Sequence, residues 1–149
     1  MQFHKIITSV FGIGYIRKGG GTVAAILACL IWFLMVGFWP PFYALMLTAF
    51  ITAYGIWGAN QVESIWGKDN SRVVIDEVAG MFVTLLLVPI SIQNILMGLI
   101  LFRVFDILKP LYINRLEQLP GGWGVMADDV LAGIYANIIL QLIIYLKLW

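Results

Sequence analysis

Five apolar runs separated by shorter polar stretches dominate the hydrophobic pattern of this chain. They cover about 22–38, 42–58, 78–92, 94–108 and 124–147. Most have 15–17 residues, somewhat fewer than the ~20 that a helix needs to cross a bilayer, so shallow, tilted or partly interfacial helices are expected. Pro40, Pro89 and Pro110 mark ends of runs, because proline blocks helix continuation. The pattern predicts an all-α fold, a compact multi-helix membrane bundle with about five apolar helical segments.

The segments outside these runs complete the predicted bundle. Residues 2–11 favour a short N-terminal interfacial amphipathic helix, and the glycine-rich segment 12–21 follows it. Residues 111–122 indicate a surface helix and loop before the last run. Since no internal repeat or low-complexity segment divides the chain, residues 1–149 are expected to form a single domain.

The composition is that of a membrane protein. Of the 149 residues, 62% are hydrophobic and only 11% are charged, against about a quarter in soluble domains. The mean hydropathy is +0.95. A net charge of +1 gives no reason to expect a nucleic-acid partner. The single histidine, His4, excludes a multi-histidine metal site within one chain, and the single cysteine, Cys29, is expected to be a small buried hydrophobe.

The charged residues are distributed unevenly between the two ends of the predicted helices. One side receives nearly all the basic residues: Lys5, Arg17, Lys18, Lys68, Arg72, Arg103, Lys109 and Arg115. Only Lys147 falls on the other side, and the turns around Pro40 and Pro89 carry no charge. The positive-inside rule therefore places the N-terminus and the charged loops in the cytoplasm. All eight acidic residues fall on this same side, where a purely structural membrane protein has no need to gather them.

The first acidic motif is the pair Asp76-Glu77 in the segment 73–81. Acids in a first helical turn complement the helix dipole, so simple capping is one interpretation. The other is metal ligation, with Gly80 allowing a second helix to come close. Both interpretations can hold together, because a carboxylate in a first turn is well fixed.

The second motif places Arg103, Asp106 and Lys109 at i, i+3 and i+6, on one helix face. A ladder of surface ion pairs is the structural interpretation. The functional interpretation uses Asp106 as a metal ligand and the two basic side chains to bind phosphate, since arginine offers a bidentate fork and lysine a point charge.

The third motif, Asp128-Asp129 in the segment 120–133, is the strongest local signal. Adjacent aspartates repel each other and have modest helix propensity, yet here they lead into an apolar helix that also carries Gly133 and Asn137. A polar stripe on a membrane helix normally faces the interior of the bundle. We therefore expect Asp76, Glu77, Asp106, Asp128 and Asp129 to converge on a divalent metal.

A weaker element is the glycine run before Thr22. Bare backbone N–H groups at a helix start can bind phosphate, so Thr22 is a candidate substrate-binding residue, with a flexible hinge as the alternative.

Cysteine phosphatase chemistry is excluded because Met35 stands where an arginine six residues after Cys29 would be required. Histidine phosphatase chemistry needs more than His4, and a Walker motif is absent from the sequence.

The three acidic motifs together resemble the bacterial phosphatidylglycerophosphatase A family. The matching stretches are IDEVAGM (75–81), FRVFDILKP (102–110) and GGWGVMADDVLAGIYA (121–136), in the same order and at similar separations. The resemblance covers most of the chain from about residue 12 to 137. It implies a Mg²⁺-dependent, multi-pass enzyme of the bacterial inner membrane, with its active site facing the cytoplasm.

The activity that this resemblance implies is hydrolysis of phosphatidylglycerophosphate to phosphatidylglycerol and phosphate. The implied partner is thus a phospholipid substrate in the membrane, and the oligomeric state is left open. Carried over by position, the active-site residues would be Asp76, Glu77, Asp106, Lys109, Asp128 and Asp129. Arg103, Thr22, Gly121 and Gly122 are further candidate substrate-binding residues.

Several alternatives remain open on the sequence alone. Either water or an aspartate could attack the phosphorus atom. An enzyme of the same chemistry could act on another lipid or on a soluble phosphomonoester. A divalent-cation transporter would instead need polar groups through the depth of the membrane, and a non-catalytic scaffold would tolerate alanine at the acidic pairs.

Overall fold

A computed structural model describes residues 2–148, and every regular element within that range is helical. The α-helices of this range are α1 (Gln2–Thr8), α2 (Gly20–Leu34), α3 (Pro41–Trp66), α4 (Ile75–Leu85), α5 (Ile92–Leu108), α6 (Ile113–Leu116) and α7 (Gly122–Tyr145). Short 3-10 helices, Ile13–Tyr15 and Val36–Phe38, lie in two of the connections. The predicted all-α fold is confirmed.

The helices differ in length more than the sequence pattern predicted. Within the described residues, three are long and apolar enough to cross a membrane: Gly20–Phe38, Pro41–Trp66 and Gly122–Tyr145. Helix α4 has 11 residues and α5 has 17, both fewer than the ~20 of a typical span. The prediction of about five apolar helical segments of similar kind is therefore not confirmed.

Two predicted boundaries are wrong in ways that bear on the function. The run at 78–92 contains the short helix α4 and then a turn, because the backbone leaves the helix at Leu86 well before Pro89. The helix that contains the run at 42–58 continues to Trp66, about two turns beyond the end of the run. At the N-terminus, α1 ends at Thr8 and packs against α3, where His4 Nδ1 lies 3.0 Å from the Tyr54 hydroxyl.

Helices α4 and α7 run parallel and make the most extensive helix contact of the bundle. A Cβ at Gly80 would lie 2.7 Å from the Asp129 carbonyl oxygen, and a Cβ at Gly133 would collide with the Gly80 carbonyl oxygen. One turn further on, the Asn137 side-chain amide donates to the carbonyl oxygen of Thr84 at 2.9 Å. The two glycines thus bring the backbones together, and Asn137 satisfies carbonyl groups at the end of α4.

The bundle has one polar end and one apolar end. The starts of α2 and α4, the end of α5 and the first turns of α7 meet around a polar cavity. The turn between α2 and α3 lies beside the turn between α4 and α5 at the opposite end. Between the two ends lies an apolar core that includes Met81, Phe82, Leu85, Phe102 and Leu140, each at most 2% exposed. This arrangement fixes the acidic motifs at one end of the bundle.

Candidate active site

All five predicted acidic residues line a single cavity of about 310 Å³ at the polar end. Its lining includes Asp76, Glu77, Asp106, Asp128 and Asp129, together with Arg103 and Lys109. The residues come from α4, α5 and α7 and from the residue that follows α5. The fold therefore joins three motifs that are up to about 50 residues apart in the sequence.

Three of the carboxylates form a compact cluster. One oxygen atom from each of Asp76, Glu77 and Asp129 lies within 4.8 Å of the others. Asp129 is buried, whereas Asp76 and Glu77 are half-buried. Within the part of the chain that the structure describes, the buried oxygens Glu77 Oε2 and Asp129 Oδ2 have no hydrogen-bond partner. Buried carboxylate oxygens are costly in that state, so the cluster is built for a further ligand.

The electrostatics of the cluster indicate that this ligand is a cation. Burial raises the pKa of Asp76 well above its usual range, and the nearby Glu77 and Asp129 carboxylates raise it further. Burial also raises the pKa of Glu77, although a hydrogen bond with Asp76 partly opposes this. A positive charge among these oxygens would remove the repulsion and favour the ionised forms.

A magnesium ion fits this donor set. Mg²⁺ prefers oxygen ligands, and it is usually bound by a few carboxylates with water or substrate oxygens completing its coordination. Asp76, Glu77 and Asp129 supply carboxylate oxygens, and among the described residues Glu77 Oε2 and Asp129 Oδ2 have no hydrogen-bond partner. The cavity around them leaves room for water and for a phosphate group.

The other two acidic residues are neutralised by basic side chains. The Arg103 guanidinium donates to Asp106, and Lys109 Nζ donates to Asp128 Oδ2 at 2.7 Å while lying 3.6 Å from Asp106 Oδ1. Arg103 Nη1 is also 4.0 Å from Glu77 Oε1. The five predicted metal ligands thus separate into a cluster of three and a pair that is held by cations.

Lys109 reaches Asp128 because it leaves the helix. Helix α5 ends at Leu108, and Lys109 adopts a left-handed conformation with φ 48°, which turns its side chain across to α7. Burial lowers the pKa of Lys109, but the hydrogen bond to Asp128 and the surrounding carboxylates outweigh that effect and raise it. Lys109 therefore stays positively charged at neutral pH and can bind an anion.

The glycine-rich start of α2 forms one wall of the cavity. Gly19, Gly20 and Gly21 belong to its lining. A Cβ at Gly21 would collide with the Glu77 carboxylate, so glycine lets α2 approach the cluster. Among the residues described, the lining does not include Thr22, whose substrate-binding role stays a prediction.

Gly121 and Gly122 lie away from the cavity, against helix α3. The Gly122 N–H donates to the Asn60 side-chain oxygen at 2.6 Å, and this contact ties the start of α7 to α3. Neither glycine is among the lining residues that the described part of the chain supplies. Their contribution to substrate binding stays a prediction, whereas their contact with α3 positions Asp128 and Asp129 about two turns further along α7.

Several polar residues of the cavity lie outside the three motifs that the sequence singles out. Arg17 lines it from the segment before α2, and Asn70 and Ser71 line it from the connection before α4. Arg17 is exposed, which leaves its charge free to meet an incoming anion. Its position two residues before the glycine run was the signal available in the sequence, because a basic residue beside exposed backbone N–H groups is typical of phosphate sites.

The cavity can therefore bind a phosphate ester between charges of both signs. Arg17, Arg103 and Lys109 supply positive charge at the wall, and the three-carboxylate cluster offers a site for a divalent cation. Phosphoryl-transfer sites commonly combine these two features, because the transferring group is anionic and its charge must be stabilised.

Comparison with known proteins places this geometry in a family. The family model described as phosphatidylglycerophosphatase A matches residues 6–144. A protein of Bacteroides thetaiotaomicron named "Putative phosphatidylinositol-3-phosphatase" is 43% identical over 91% of this chain and 89% of its own length. The proteins named phosphatidylglycerophosphatase A of Haemophilus influenzae and Escherichia coli are 36% and 32% identical, over 91% and 89% of this chain and 85% and 78% of their own lengths.

No solved structure gives a significant match. The range matched by the family model includes the three acidic motifs that line the cavity, and the two relatives named phosphatidylglycerophosphatase A match 91% and 89% of the chain. The resemblance inferred from those motifs is confirmed, and this chain belongs to the phosphatidylglycerophosphatase A family of membrane phosphatases.

Proposed function

We propose that this protein removes the terminal phosphate of phosphatidylglycerophosphate, giving phosphatidylglycerol and inorganic phosphate. The observation that carries the proposal is the cluster of Asp76, Glu77 and Asp129, within 4.8 Å of one another and beside Arg103 and Lys109. The cluster lies at one end of a helical membrane bundle, where the head group of a lipid would be. The names of the relatives from Haemophilus influenzae and Escherichia coli support the choice of substrate.

Mg²⁺ is the proposed cofactor, held by Asp76, Glu77 and Asp129. When bound there, it supplies positive charge to the phosphate group and lowers the pKa of a bound water molecule. Arg103 and Lys109 hold Asp106 and Asp128 in place and present positive charge to the phosphate oxygens.

The reaction breaks the bond between phosphorus and the terminal glycerol oxygen. That oxygen leaves with a proton as the alcohol of phosphatidylglycerol, and the phosphoryl group is transferred to the attacking oxygen. Attack by water gives inorganic phosphate directly, whereas attack by an aspartate gives an aspartyl-phosphate that water then hydrolyses. Trapping of a phosphorylated protein, or solvent ¹⁸O appearing in a carboxylate, would identify the second route.

The proposed location is the bacterial inner membrane, with the cavity on the cytoplasmic side. The loops at the polar end carry almost all the basic residues, and positively charged loops stay in the cytoplasm. The turns at the opposite end carry no charge. A lipid head group in the inner leaflet would therefore lie at the depth of the acidic cluster.

Phosphatidylinositol 3-phosphate is a second candidate substrate. The relative that carries this activity in its name is 43% identical to the chain, compared with 36% and 32% for the two phosphatidylglycerophosphatases. Both lipids carry a phosphomonoester on the head group of a diacylglycerol phosphate. In phosphatidylglycerophosphate the phosphomonoester is on a glycerol, and in phosphatidylinositol 3-phosphate it is on an inositol ring. The lining of the cavity must therefore be tested against both.

The transporter alternative finds little support in the bundle. Beyond Asp129, the α4–α7 contact is closed by Gly80 and Gly133, and Asn137 is engaged with carbonyl groups at the end of α4. A cation path would need free polar groups along this contact. The polar cavity ends at the acidic cluster instead.

A phosphate-release assay with the purified protein tests the proposal. The substrates are phosphatidylglycerophosphate, phosphatidylinositol 3-phosphate, phosphatidate and glycerol 3-phosphate, each with Mg²⁺ and with EDTA. We expect Mg²⁺-dependent release from phosphatidylglycerophosphate above all others. Preferred release from the inositol lipid would establish the second candidate, and equal rates in EDTA would contradict the proposed cofactor.

A further inference from the structure

A second cavity lies between α2 and α5, two helices that also contribute residues to the acidic cavity. It measures about 400 Å³. Its walls are formed by Ile26, Leu30 and Phe33 of α2 and by Ile92, Leu96 and Leu99 of α5. Every lining side chain is apolar, so this α2–α5 groove suits a hydrocarbon and offers nothing to a polar ligand.

The groove follows the acidic cavity along α2 and α5, toward the apolar end of the bundle. Gly21 of α2 and Arg103 of α5 line the acidic cavity, whereas Ile26 and Leu99 begin the groove. With a rise of about 1.5 Å per residue, the groove starts roughly 6–8 Å from the residues that line the acidic cavity. The two cavities therefore succeed each other along one helix pair.

The length of the helix pair matches one leaflet of a bilayer. Gly21 to Phe33 spans twelve residues, or about 18 Å, and Arg103 to Ile92 spans eleven, or about 16 Å. Half of the hydrocarbon core of a bilayer is roughly 15 Å thick. A lipid whose phosphate lies in the acidic cavity thus has an acyl chain of the right reach to follow the groove to the middle of the membrane.

The groove is also open on its lipid-facing side. Cys29 and Ile95 form a floor that is buried, at 7% exposed each, whereas the rim residues Leu30 and Leu96 are 52% and 54% exposed. A chain can therefore enter sideways from the bilayer without crossing a polar surface. Lateral entry suits a substrate that stays in the membrane throughout the reaction.

We propose that the α2–α5 groove binds one acyl chain of the lipid phosphomonoester whose phosphate is hydrolysed in the acidic cavity. This inference rests on the proposed function, and it adds that the groove recognises the acyl chain of the substrate. The groove holds that acyl chain and so orients the head group toward Asp76, Glu77 and Asp129. Soluble phosphomonoesters lack this anchor and are poor substrates for that reason.

The first test fills the groove and compares chain lengths. Leu96→Trp places an indole at the rim, and Ile138→Trp is the matched control, because Ile138 is 52% exposed but belongs to α7. We expect Leu96→Trp to lower kcat/KM for the dioleoyl substrate by about tenfold, the scale of a changed hydrophobic pocket contact, and to leave the dihexanoyl substrate within twofold. Ile138→Trp should leave both unchanged.

Three results of this test would overturn the proposal. The first is an equal loss on both chain lengths, and the second is an equal loss in both variants. The third is a change of oligomeric state in Leu96→Trp without any dependence on chain length, which would show that the groove seats a second copy of the chain.

A second measurement reports occupancy of the groove without using activity. In a Cys29→Ser background, Leu30→Cys places a single thiol at the rim of the groove, where Leu30 is 52% exposed, so its alkylation by N-ethylmaleimide in detergent reports access to the groove. We expect dioleoyl phosphatidylglycerol to slow labelling several-fold and dihexanoyl phosphatidylglycerol to have no effect. Unchanged labelling overturns the groove assignment even if the enzyme is active, whereas protection without any phosphate release refutes the proposed function alone.

Discussion

Asp129 is the most buried of the acidic residues around the cavity, at 2% exposed. Its Oδ2 atom has no partner within the described part of the structure, although its neighbour Asp128 is bound by Lys109. Two adjacent residues of one motif therefore have different environments. Asp129 faces the three-carboxylate cluster, and Asp128 faces the end of α5.

Replacement of Asp129 by asparagine tests the cluster directly. The change keeps the shape of the side chain and removes its charge, so we expect the protein to insert in the membrane while phosphate release falls by at least about 100-fold, the upper range for the partners of metal ligands. The purified variant should also lose stabilisation by Mg²⁺ in thermal unfolding.

Asp69→Asn is the control for this variant, because Asp69 lines the same cavity but is exposed and lies outside the cluster. We expect it to stay within a few-fold of the parent protein. Near-normal turnover in Asp129→Asn would remove this residue from the mechanism.

Lys109 distinguishes a phosphate-binding residue from a purely structural ion pair. We expect Lys109→Ala to lower kcat/KM by about 10–100-fold, mainly through KM, because a charged hydrogen bond contributes about 1.5–3 kcal/mol. Steady-state kinetics on phosphatidylglycerophosphate would measure the effect. Lys68→Ala removes an exposed lysine from the same end of the bundle and should change neither constant. If kcat and KM both survive in Lys109→Ala, the ion pair with Asp128 is structural only.

At the scale of the elements, the site depends on the parallel contact between α4 and α7. Asp76 lies one turn before Gly80, and Asp129 lies one turn before Gly133. The two glycines meet, so the two carboxylates one turn earlier are brought together as well. The same spacing continues to Thr84 and Asn137, which are joined by a hydrogen bond. The helix contact therefore sets the distance across the cluster.

A methyl group at Gly133 should disturb the cluster from a distance. Its Cβ would collide with the Gly80 carbonyl oxygen, which belongs to the backbone and cannot rotate away. We expect Gly133→Ala to lower the free energy of unfolding by about 1–3 kcal/mol, as overpacking does, and to reduce phosphate release. Thermal unfolding and activity in detergent would measure both effects.

Gly98→Ala provides the matched control for this helix contact. Gly98 is also buried in a helix, but the three atoms nearest to a Cβ there belong to the side chains of Leu85, Leu140 and Thr84, at 3.2–3.3 Å. Side-chain atoms can move by a few tenths of an ångström, so a smaller loss of stability and near-normal activity are expected. Equal effects of the two substitutions would show that the α4–α7 contact does not control the site.

The sequence indicated where the acidic motifs would meet, because ionised groups in an apolar chain need a compensating partner. Helical spacing also predicted the pairing of Asp106 with Arg103 and Lys109, but it could not predict the pairing of Lys109 with Asp128. Lys109 pairs with Asp128 only because the backbone turns left-handed after Leu108, and helical spacing predicts no such turn. The extent of α4 was also hidden, because the apolar run continues through the turn that follows Leu85, and hydrophobicity alone does not separate a buried turn from a helix.

At the scale of the whole molecule, the bundle separates charge from hydrocarbon. Its polar end contains the acidic cavity and the loops with Arg17 and Lys68, whereas its opposite end has two uncharged turns and, after α7, Lys147. The sequence pattern predicted this polarity because basic residues favour one side of a membrane. The alignment of the acidic cavity and the α2–α5 groove along one helix pair could not be predicted from the sequence. It depends on helix packing, which brings α2 beside α5 although α3 and α4 separate them in the chain.

Cysteine labelling from one side of the membrane tests this orientation. In a Cys29→Ser background, Lys68→Cys places a thiol at the polar end and Leu87→Cys places one at the opposite turn, where Leu87 is 72% exposed. A membrane-impermeant maleimide added to spheroplasts should label Leu87→Cys readily, and Lys68→Cys only after permeabilisation, because the basic loops are retained in the cytoplasm. Inside-out vesicles should give the opposite result. Labelling of Lys68→Cys in intact spheroplasts would place the acidic cavity on the outer face, and the enzyme would then meet its substrate in the outer leaflet.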